Sequence, residues 1–484
     1  MRPSCAAVVP LLAVWSIGCS TPPETAAPAD PLNILLITSD DLGLQLGCYG
    51  ETRIETPHLD GLASEGVRFE TAYVAQASCS PSRSAMFTGL YVHATGQYGL
   101  ANRGFQMHPE MFDRTLPNLL KRQGYRTGII GKLHVNPEQT FLFDDRETNY
   151  NEARRVGLVA ERASRFFADP AGAPFFLMVN YTDPHVGRRE DGSRYFPPQV
   201  DGFPENPVEP SEKTLLSFQR IDTPEQRQRT ADYLSAVKRL DDGVGLLLAA
   251  LGEAGRRDDT LVVFVSDHGP PFARGKTTAY EAGLRIPYIV RWPGLDFRGD
   301  SPAMVSTVDL VPTILEAAQA PIPEDLHGRS LRPLLSGDRS VDWRQYLVGE
   351  FHYHGSQPFY PRRAIRDERY QLIHNLRAGE AKPSSGIDGD PAYSESQQAR
   401  FVGTDVRRAF DTFADPPAYE LYDLGADPGQ FHNLAGEPHL DEEQRRLTVA
   451  LRAWQAETED PFRDPEFVQH VLETAGPEAE ARMP

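Results

Sequence analysis

Four short apolar runs constrain the fold of this chain more than any other feature of its sequence, because charged or imidazole side chains follow each of them. Such runs are typical of strands in a parallel sheet that helices cover on both faces. The runs span 33–39, 126–131, 175–181 and 261–266. Predicted helices separate them, at 56–66, 115–123, 152–168 and 230–254. Strands that alternate with helices predict an α/β fold with a doubly wound, mostly parallel sheet.

The polar side chains that follow these runs are expected to meet at one edge of the sheet. In doubly wound sheets the carboxyl ends of parallel strands form the edge where ligands bind. The residues concerned are Asp40, Asp41, Lys132, His134, Asp183, His185, Asp267 and His268. A single Asp after a strand is usually a turn residue or a helix cap, but four coincident cases favour a functional site.

The last third of the chain has a different pattern. Short runs at 346–351, 363–366, 370–374 and 419–424 predict antiparallel strands, and 440–457 predicts an amphipathic helix. The polar stretch 376–417, rich in Gly, Pro and Ser, predicts a long loop. We therefore divide the chain into an N-terminal segment (1–31), a main domain (32–343) and a smaller α+β subdomain (344–484).

The N-terminal segment predicts export. Arg2 precedes a short apolar stretch that ends in small residues, and this stretch is shorter than the roughly 20 residues of a membrane span. Residues 16–19 resemble a bacterial lipoprotein box, which makes Cys19 a candidate lipid anchor; cleavage by an ordinary signal peptidase is the alternative. Residues 20–31 are expected to form a tether, which places the protein in the periplasm or on the cell surface.

Charge and cysteine content exclude several classes of function. The net charge of −19 argues against general binding of nucleic acid or anionic lipid, so any positive charge must be concentrated at a site. Beyond the N-terminal segment the chain has only Cys48 and Cys79, too few for a disulfide framework. One disulfide between them stays open, and two unpaired thiols is the interpretation that we favour.

Cys79 begins the segment that points most directly to chemistry. It precedes an apolar stretch, 85–90, that predicts a helix. A Cys at a helix N-terminus lies near backbone N–H groups and the positive end of the dipole, which suits a nucleophile and an anion. Arg83 falls on the same side of the first turn. On this fragment alone, a buried structural Cys is an equally good interpretation.

The segment Cys79-Ser-Pro-Ser-Arg83 resembles the C-x-P-x-R signature of the type I, formylglycine-dependent sulfatases, which belong to the alkaline-phosphatase-like superfamily. Residues 88–93 and 128–134 resemble the segments that follow in that family. The resemblance covers about 32–345 and resumes at 420–434. Residues 96–100 and 126–138 are similar to the heparan N-sulfatase-like branch. The family fold is the doubly wound sheet with a smaller antiparallel sheet, as expected above.

The resemblance implies that a formylglycine-generating enzyme oxidises Cys79 during export. The resulting aldehyde is hydrated, one hydroxyl attacks sulfur, the alcohol or amine departs, and the second hydroxyl expels sulfate. It also implies a divalent cation, with Ca²⁺ favoured and Mn²⁺ or Mg²⁺ as alternatives. The ligands that the resemblance implies for this cation are Asp40, Asp41, Cys79 as formylglycine, Asp267 and His268. His268 stands where most of the family has Asn and some phosphonate monoester hydrolases have His.

The resemblance implies a role for each remaining polar group. Arg83, Lys132 and Lys276 are expected to clamp the formylglycine and sulfate oxygens. His134 is expected to stabilise or deprotonate the hydrated aldehyde, and His185 to protonate the leaving group. His352 and His354 are candidate substrate contacts, whereas the loops 186–228 and 376–417 are expected to select the sugar.

The sequence therefore predicts an exported sulfatase that acts on a sulfated saccharide, either N-sulfoglucosamine or an O-sulfated glycan. A phosphonate or phosphate monoester hydrolase on the same scaffold is the alternative, favoured by His268. A binding protein with a decayed site is a third interpretation. It predicts loss of Cys79, Arg83 or an Asp, and all of these are present.

Overall fold

The computed structural model describes residues 31–168, 172–338, 340–355 and 358–481. The predicted signal sequence, the candidate anchor Cys19 and nearly all of the tether lie outside these residues. Among the helices described, none is long and apolar enough to cross a membrane. Cys48 and Cys79 are both free thiols, as we favoured.

An eight-stranded mixed sheet forms the centre of the molecule, in the order β10-β2-β9-β8-β1-β5-β3-β4. Its strands are β1 (Asn33–Ser39), β2 (Val67–Tyr73), β3 (Arg126–Gly131), β4 (Asp145–Glu147), β5 (Phe175–Asn180), β8 (Thr260–Ser266), β9 (Tyr288–Arg291) and β10 (Gly299–Ser306). All of its pairings are parallel except those that β9 makes with β2 and β8. A hairpin of β6 (Gly187–Arg188) and β7 (Arg194–Tyr195) lies outside it.

Helices cover both faces of this sheet, which explains why its strands are continuously apolar. In β1, Ile34 and Leu36 belong to one core, and Leu35 and Ile37 belong to the other. The first core includes residues of α2 (Cys79–Thr88), α4 (Leu116–Arg122) and α8 (Leu310–Ala317). The second includes residues of α1 (Pro57–Glu65), α5 (Val156–Phe167) and α6 (Pro224–Glu253). The predicted doubly wound α/β sheet is confirmed.

A separate antiparallel sheet follows, in the order β11-β12-β13-β14. Its strands are β11 (Leu347–Phe351), β12 (Arg362–Arg366), β13 (Tyr370–Asn375) and β14 (Tyr419–Asp423). The predicted C-terminal helix is α12 (Asp441–Glu457). The other α-helices of the described residues are α3 (Val92–Thr95), α7 (Glu281–Leu284), α9 (Arg332–Leu335), α10 (Ala392–Ser396), α11 (Asp405–Ala414) and α13 (Pro465–Ala481). The boundary at residue 343 stays a prediction.

The segment 376–417 is not the continuous loop that its composition predicted. It contains α10 and α11, and the latter buries Ala409, Phe410 and Phe413 along one side. The side chain of Thr404 caps α11 by accepting a hydrogen bond from the N–H of Arg407 at 3.2 Å. The loop prediction rested on the Gly, Pro and Ser residues around these helices, and it overlooked the short apolar pattern within them. Likewise, α6 begins at Pro224 rather than 230, because Thr223 caps it.

Candidate active site

The carboxyl ends of four strands bring most of the predicted site residues together. Asp40 and Asp41 follow β1, Lys132 and His134 follow β3, His185 comes after β5, and Asp267 and His268 follow β8. The strand ends are level because Ser39 pairs with Ser266, while Thr38 and Gly131 both pair with Asn180. Cys79 and Arg83 reach this edge from α2, and Lys276 reaches it from the loop after β8.

Cys79 lies at the start of α2, with its side chain buried and directed at the strand ends. Its Sγ is 3.3 Å from Nε2 of His268. One turn along the helix, the Nε of Arg83 donates to Oδ2 of Asp267 at 2.9 Å, and Nη1 donates to Oδ1 of Asn180 at 2.9 Å. Burial opposes ionisation of the Cys79 thiol, but Lys132 and Lys276 outweigh burial and lower its pKa.

Four of the predicted cation ligands form a tight buried cluster. One ligand atom from each of Asp40, Asp41, Cys79 and His268 lies within 4.8 Å of the others. Asp267 adjoins this cluster, because its Oδ1 accepts a hydrogen bond from the N–H of Asp41 at 3.1 Å and lies 3.7 Å from Nε2 of His268. Buried carboxylates so close together require a compensating charge.

The donor set fits a divalent cation. Oδ1 of Asp40 is buried without a hydrogen-bond donor among the described residues. Burial opposes protonation of His268, but Asp267 and Asp41 outweigh it and raise the pKa of this imidazole to about 9. The cluster thus attracts positive charge. A Ca²⁺ or Mn²⁺ ion bound by the hard carboxylate oxygens and the imidazole nitrogen would supply this charge.

Two lysines flank the cluster on different carboxylates. Nζ of Lys132 donates to Oδ2 of Asp40 at 2.6 Å. Nζ of Lys276 donates to Oδ2 of Asp41 at 3.0 Å and lies 3.0 Å from Oδ2 of Asp388. Both ammonium groups are buried, and despite desolvation their carboxylate neighbours raise their pKa values. They stay charged at neutral pH and can bind the oxygens of an anion.

The two predicted proton-transfer histidines are neutral in this site. Nδ1 of His134 is buried without a hydrogen-bond partner among the described residues, and burial together with Lys132 holds its pKa well below the ordinary value. Nδ1 of His185 donates to the carbonyl of Val186 at 2.8 Å, which leaves Nε2 as the acceptor. Burial and Lys276 lower the pKa of His185 to about 3. A bound anion would offset the lysine charges and favour protonation of Nε2.

The structure also places residues that the sequence did not single out. Asp388 reaches Lys276 from the segment predicted as a loop, where no motif distinguished it. Tyr150 packs edge-on against His185, at 5.7 Å between ring centroids. His354 lies beside the site, with Nδ1 2.8 Å from Oγ of Ser78, whereas His352 is buried with Nδ1 2.8 Å from Oε1 of Gln76. Of the two candidate histidines, only His354 adjoins the site.

Residues 32–320 match the family model described as Sulfatase, and residues 273–399 match the model described as N-sulphoglucosamine sulphohydrolase, C-terminal. The chain belongs to the sulfatase family. It is 34% identical over 475 residues to N-sulphoglucosamine sulphohydrolase of Homo sapiens, covering 90% of this chain and 92% of that protein. The sulfatase resemblance and its N-sulfatase-like branch are therefore confirmed, and the activity class is sulfuric ester hydrolysis.

Solved structures of this family share the fold. One, in complex with its substrate D-glucosamine-2-N,6-O-disulfate, has a TM-score of 0.66 at 22% identity, covering 89% of this chain and 99% of that chain. The phosphonate monoester hydrolase of Agrobacterium radiobacter has a TM-score of 0.66 at 18% identity, covering 88% and 96%. At these identities the likeness establishes the fold, and the alkaline-phosphatase-like architecture predicted from the sequence is confirmed.

Proposed function

We propose that this sulfatase removes sulfate from a saccharide, with N-sulfoglucosamine as its first substrate class and O-sulfated glycans as the second. The observation that carries the proposal is the position of Cys79. It begins a buried helix beside His268, and two buried lysines, Lys132 and Lys276, lie close enough to lower its pKa. The 34% identity to N-sulphoglucosamine sulphohydrolase, over nearly the whole of both chains, supports the sugar assignment.

Two groups would complete the site. Formylglycine at position 79 would supply a hydrated aldehyde as the nucleophile, and a divalent cation would stabilise charge on the sulfate oxygens. Asp40, Asp41, Asp267 and His268 would hold the cation. The modification and the cation follow from the family resemblance and fit the donor set described above.

The side chains of this chain would then bind sulfate and move protons. Arg83 is oriented by Asp267 and Asn180, and its buried Nη2, which has no hydrogen-bond partner among the described residues, would bind formylglycine and sulfate oxygens. Lys132 and Lys276 would bind sulfate oxygens as negative charge develops. His134, neutral and without a partner at Nδ1, would accept a proton from the nucleophile. His185 would donate a proton from Nε2 to the departing oxygen or nitrogen.

The charge of the site favours a monoanion. Its carboxylates are Asp40, Asp41, Asp267 and Asp388, and its cations are Arg83, Lys132 and Lys276. With all four carboxylates ionised as cation ligands or lysine partners and His268 neutral as a ligand, adding a divalent cation leaves one net positive charge, which a sulfate ester or sulfamate neutralises. A phosphate monoester dianion would leave one negative charge buried and uncompensated.

Phosphonate monoester hydrolysis is the second candidate. A phosphonate monoester is also a monoanion, and His268 occupies the position at which some such hydrolases carry His. The structural likeness to a phosphonate monoester hydrolase shows that the fold can carry this reaction. We keep this candidate below saccharide desulfation because the relative that is 34% identical is a sulphohydrolase.

We also propose that residues 1–31 direct export to the periplasm or cell surface, with a lipid anchor at Cys19 and maturation of Cys79 by a formylglycine-generating enzyme. The support is the charge and apolar pattern of the segment. Mass spectrometry of the protein from a native host would show a lipidated Cys19 at the mature N-terminus. A mature N-terminus elsewhere would exclude the anchor.

The substrate class is tested by kcat/KM on a panel of N-sulfoglucosamine, O-sulfated saccharides, phenyl phosphonate monoester and phenyl phosphate. We expect the highest kcat/KM on a sulfated saccharide and the lowest on the phosphate dianion. A higher kcat/KM on the phosphonate than on every sulfated saccharide would replace the first candidate with the second.

A further inference from the structure

Asp388 brings a carboxylate into the site from outside the central sheet. Its Oδ2 lies 3.0 Å from Nζ of Lys276, and the side chain is 11% exposed. One carboxylate oxygen of Asp388 lies within 4.8 Å of a ligand atom of both Asp41 and His185. Asp388 therefore borders the place where His185 would meet the leaving group.

The segment that carries Asp388 is held firmly against the site. Two residues later, Oδ2 of the buried Asp390 accepts hydrogen bonds from the N–H of Ala273 at 2.6 Å and from Nε2 of Gln219 at 2.7 Å. Nη2 of Arg229 donates to the carbonyl of Asp388 itself at 2.8 Å. These bonds fix the backbone on α6 and on the loop that carries Lys276. The position of the Asp388 carboxylate is thus built into the fold.

The carboxylate of Asp388 has unused hydrogen-bonding capacity. Among the described residues, Lys276 is its only ion-pair partner, and Lys276 is shared with Asp41. An ionised carboxylate can accept about four hydrogen bonds. Burial opposes ionisation, but Lys276 outweighs burial and holds the pKa of Asp388 well below its ordinary value. Paired with Lys276, the carboxylate is a hydrogen-bond acceptor beside a site for another anion.

We propose that Asp388 is a specificity residue that accepts a hydrogen bond from a free hydroxyl group of the saccharide next to the sulfate being removed, and repels a second sulfate at that hydroxyl. The inference rests on the proposed saccharide substrate. A buried anion beside the leaving group reduces affinity for sulfate itself, and a hydroxyl donor from the sugar would offset this cost. A hydroxyl bonded to an ionised carboxylate contributes more than one bonded to a neutral acceptor.

This contact is tested by a thermodynamic cycle in which one group is removed from the enzyme, one from the substrate, and then both. Wild type and Asp388→Asn are assayed on N-sulfoglucosamine and on its analogues that lack one ring hydroxyl each. The substitution is expected to lower kcat/KM on N-sulfoglucosamine by about 10- to 100-fold. For one deoxy analogue, the ratio of kcat/KM on N-sulfoglucosamine to kcat/KM on that analogue should fall by the same factor. Any effect that acts through Lys276 alone alters all substrates equally and leaves this ratio unchanged. Equal effects on every analogue would overturn the proposal.

A second measurement needs no variant. For wild type, sulfation of the hydroxyl identified in the cycle is expected to lower kcat/KM at least as far as its removal does, and N-sulfoglucosamine that is O-sulfated at that hydroxyl serves as the probe. Undiminished turnover of this probe would overturn the proposal. Glu380→Gln, an exposed carboxylate in the same segment, is the matched control and should leave all ratios unchanged. Absence of turnover on every saccharide would instead reject the proposed function.

Discussion

At the level of single residues, the structure most sharply constrains the role proposed for His185. The ring is neutral because burial and Lys276 lower its pKa, and a bound anion would offset Lys276 and favour protonation of Nε2. An amine or sugar alkoxide needs that proton to leave, whereas a nitrophenolate is a tolerable leaving group without it.

His185→Ala is therefore expected to lower kcat on a sulfated saccharide by about 10²- to 10⁴-fold and on an aryl sulfate by much less. The measurement compares kcat on the two substrates for wild type and variant. His432→Ala, which changes an exposed histidine, is the control. Equal losses on both substrates would show that His185 is not the proton donor.

The residues at the strand ends were predictable because each follows an apolar strand or falls in a motif. Asp388 and Tyr150 were not, because no motif marks them and only the packing of distant segments brings them to the site. A single buried contact of this kind depends on three-dimensional arrangement that local pattern does not encode.

At the level of secondary-structure elements, Asp241 joins two helices. It lies on α6, and its carboxylate accepts hydrogen bonds from the N–H groups of His58 and Leu59 in the first turn of α1. Thr56, the N-cap residue of α1, makes no side-chain capping bond, so Asp241 takes over that function.

Asp241→Ala is expected to destabilise the protein by about 1–3 kcal/mol, because two N–H donors lose their acceptor. Denaturant titration monitored by circular dichroism measures this change in the free energy of unfolding. The neighbouring Asp242→Ala, at a partly exposed position without these bonds, should change it by about 0.5 kcal/mol or less. Similar values for the two variants would contradict the capping role.

Glu350 ties α3 to the antiparallel sheet. It lies on β11, bonds to Nδ1 of His93 at 2.9 Å, and lies 3.4 Å from Arg363 of β12. Burial opposes ionisation of Glu350, but His93 and Arg363 outweigh it and lower the pKa of this carboxyl from 4.5 to about 2. Its stabilisation is complete above about pH 4.5 and is lost as the pH falls through about 2.

Between pH 7 and pH 3, wild type should therefore lose on the order of 2 kcal/mol through Glu350. Glu350→Gln should be less stable at pH 7 and should lack this part of the pH dependence. Urea titrations at the two pH values measure both effects, with the exposed Glu190→Gln as control. A Glu350→Gln variant with unaltered pH dependence would contradict this assignment.

On the scale of the whole molecule, the acidic cluster ties stability to the cation. Chelation should remove activity and lower the melting temperature, and Ca²⁺ should restore both, because a ligand that binds only the folded state stabilises it. Mn²⁺ is expected to substitute because of His268. Asp40→Asn should abolish the rise in melting temperature with Ca²⁺. Undiminished turnover after exhaustive removal of metal would exclude the cation.

Four strands of the central sheet (β1, β3, β5 and β8) and the whole antiparallel sheet were predictable, because continuous apolar runs with polar residues at their ends mark the first set and short alternating runs mark the second. The other four strands of the central sheet were missed because they are partly exposed or short; they are β2, β4, β9 and β10. The helices within 376–417 were missed because their apolar positions are few and lie among loop-forming residues. Their burial depends on contact with the main sheet domain rather than on local pattern.

The most direct test that formylglycine formed from Cys79 is the nucleophile combines two measurements. They are sulfate release by wild type, Cys79→Ala and Cys48→Ala, and the mass of the peptide that contains residue 79. In active wild type this peptide should be about 18 Da lighter than the thiol form. Turnover should rise in proportion to the fraction of protein that carries formylglycine at residue 79. It should be lost completely in Cys79→Ala and stay full in Cys48→Ala, which removes the other free thiol. Full activity from protein whose Cys79 is entirely thiol would contradict it.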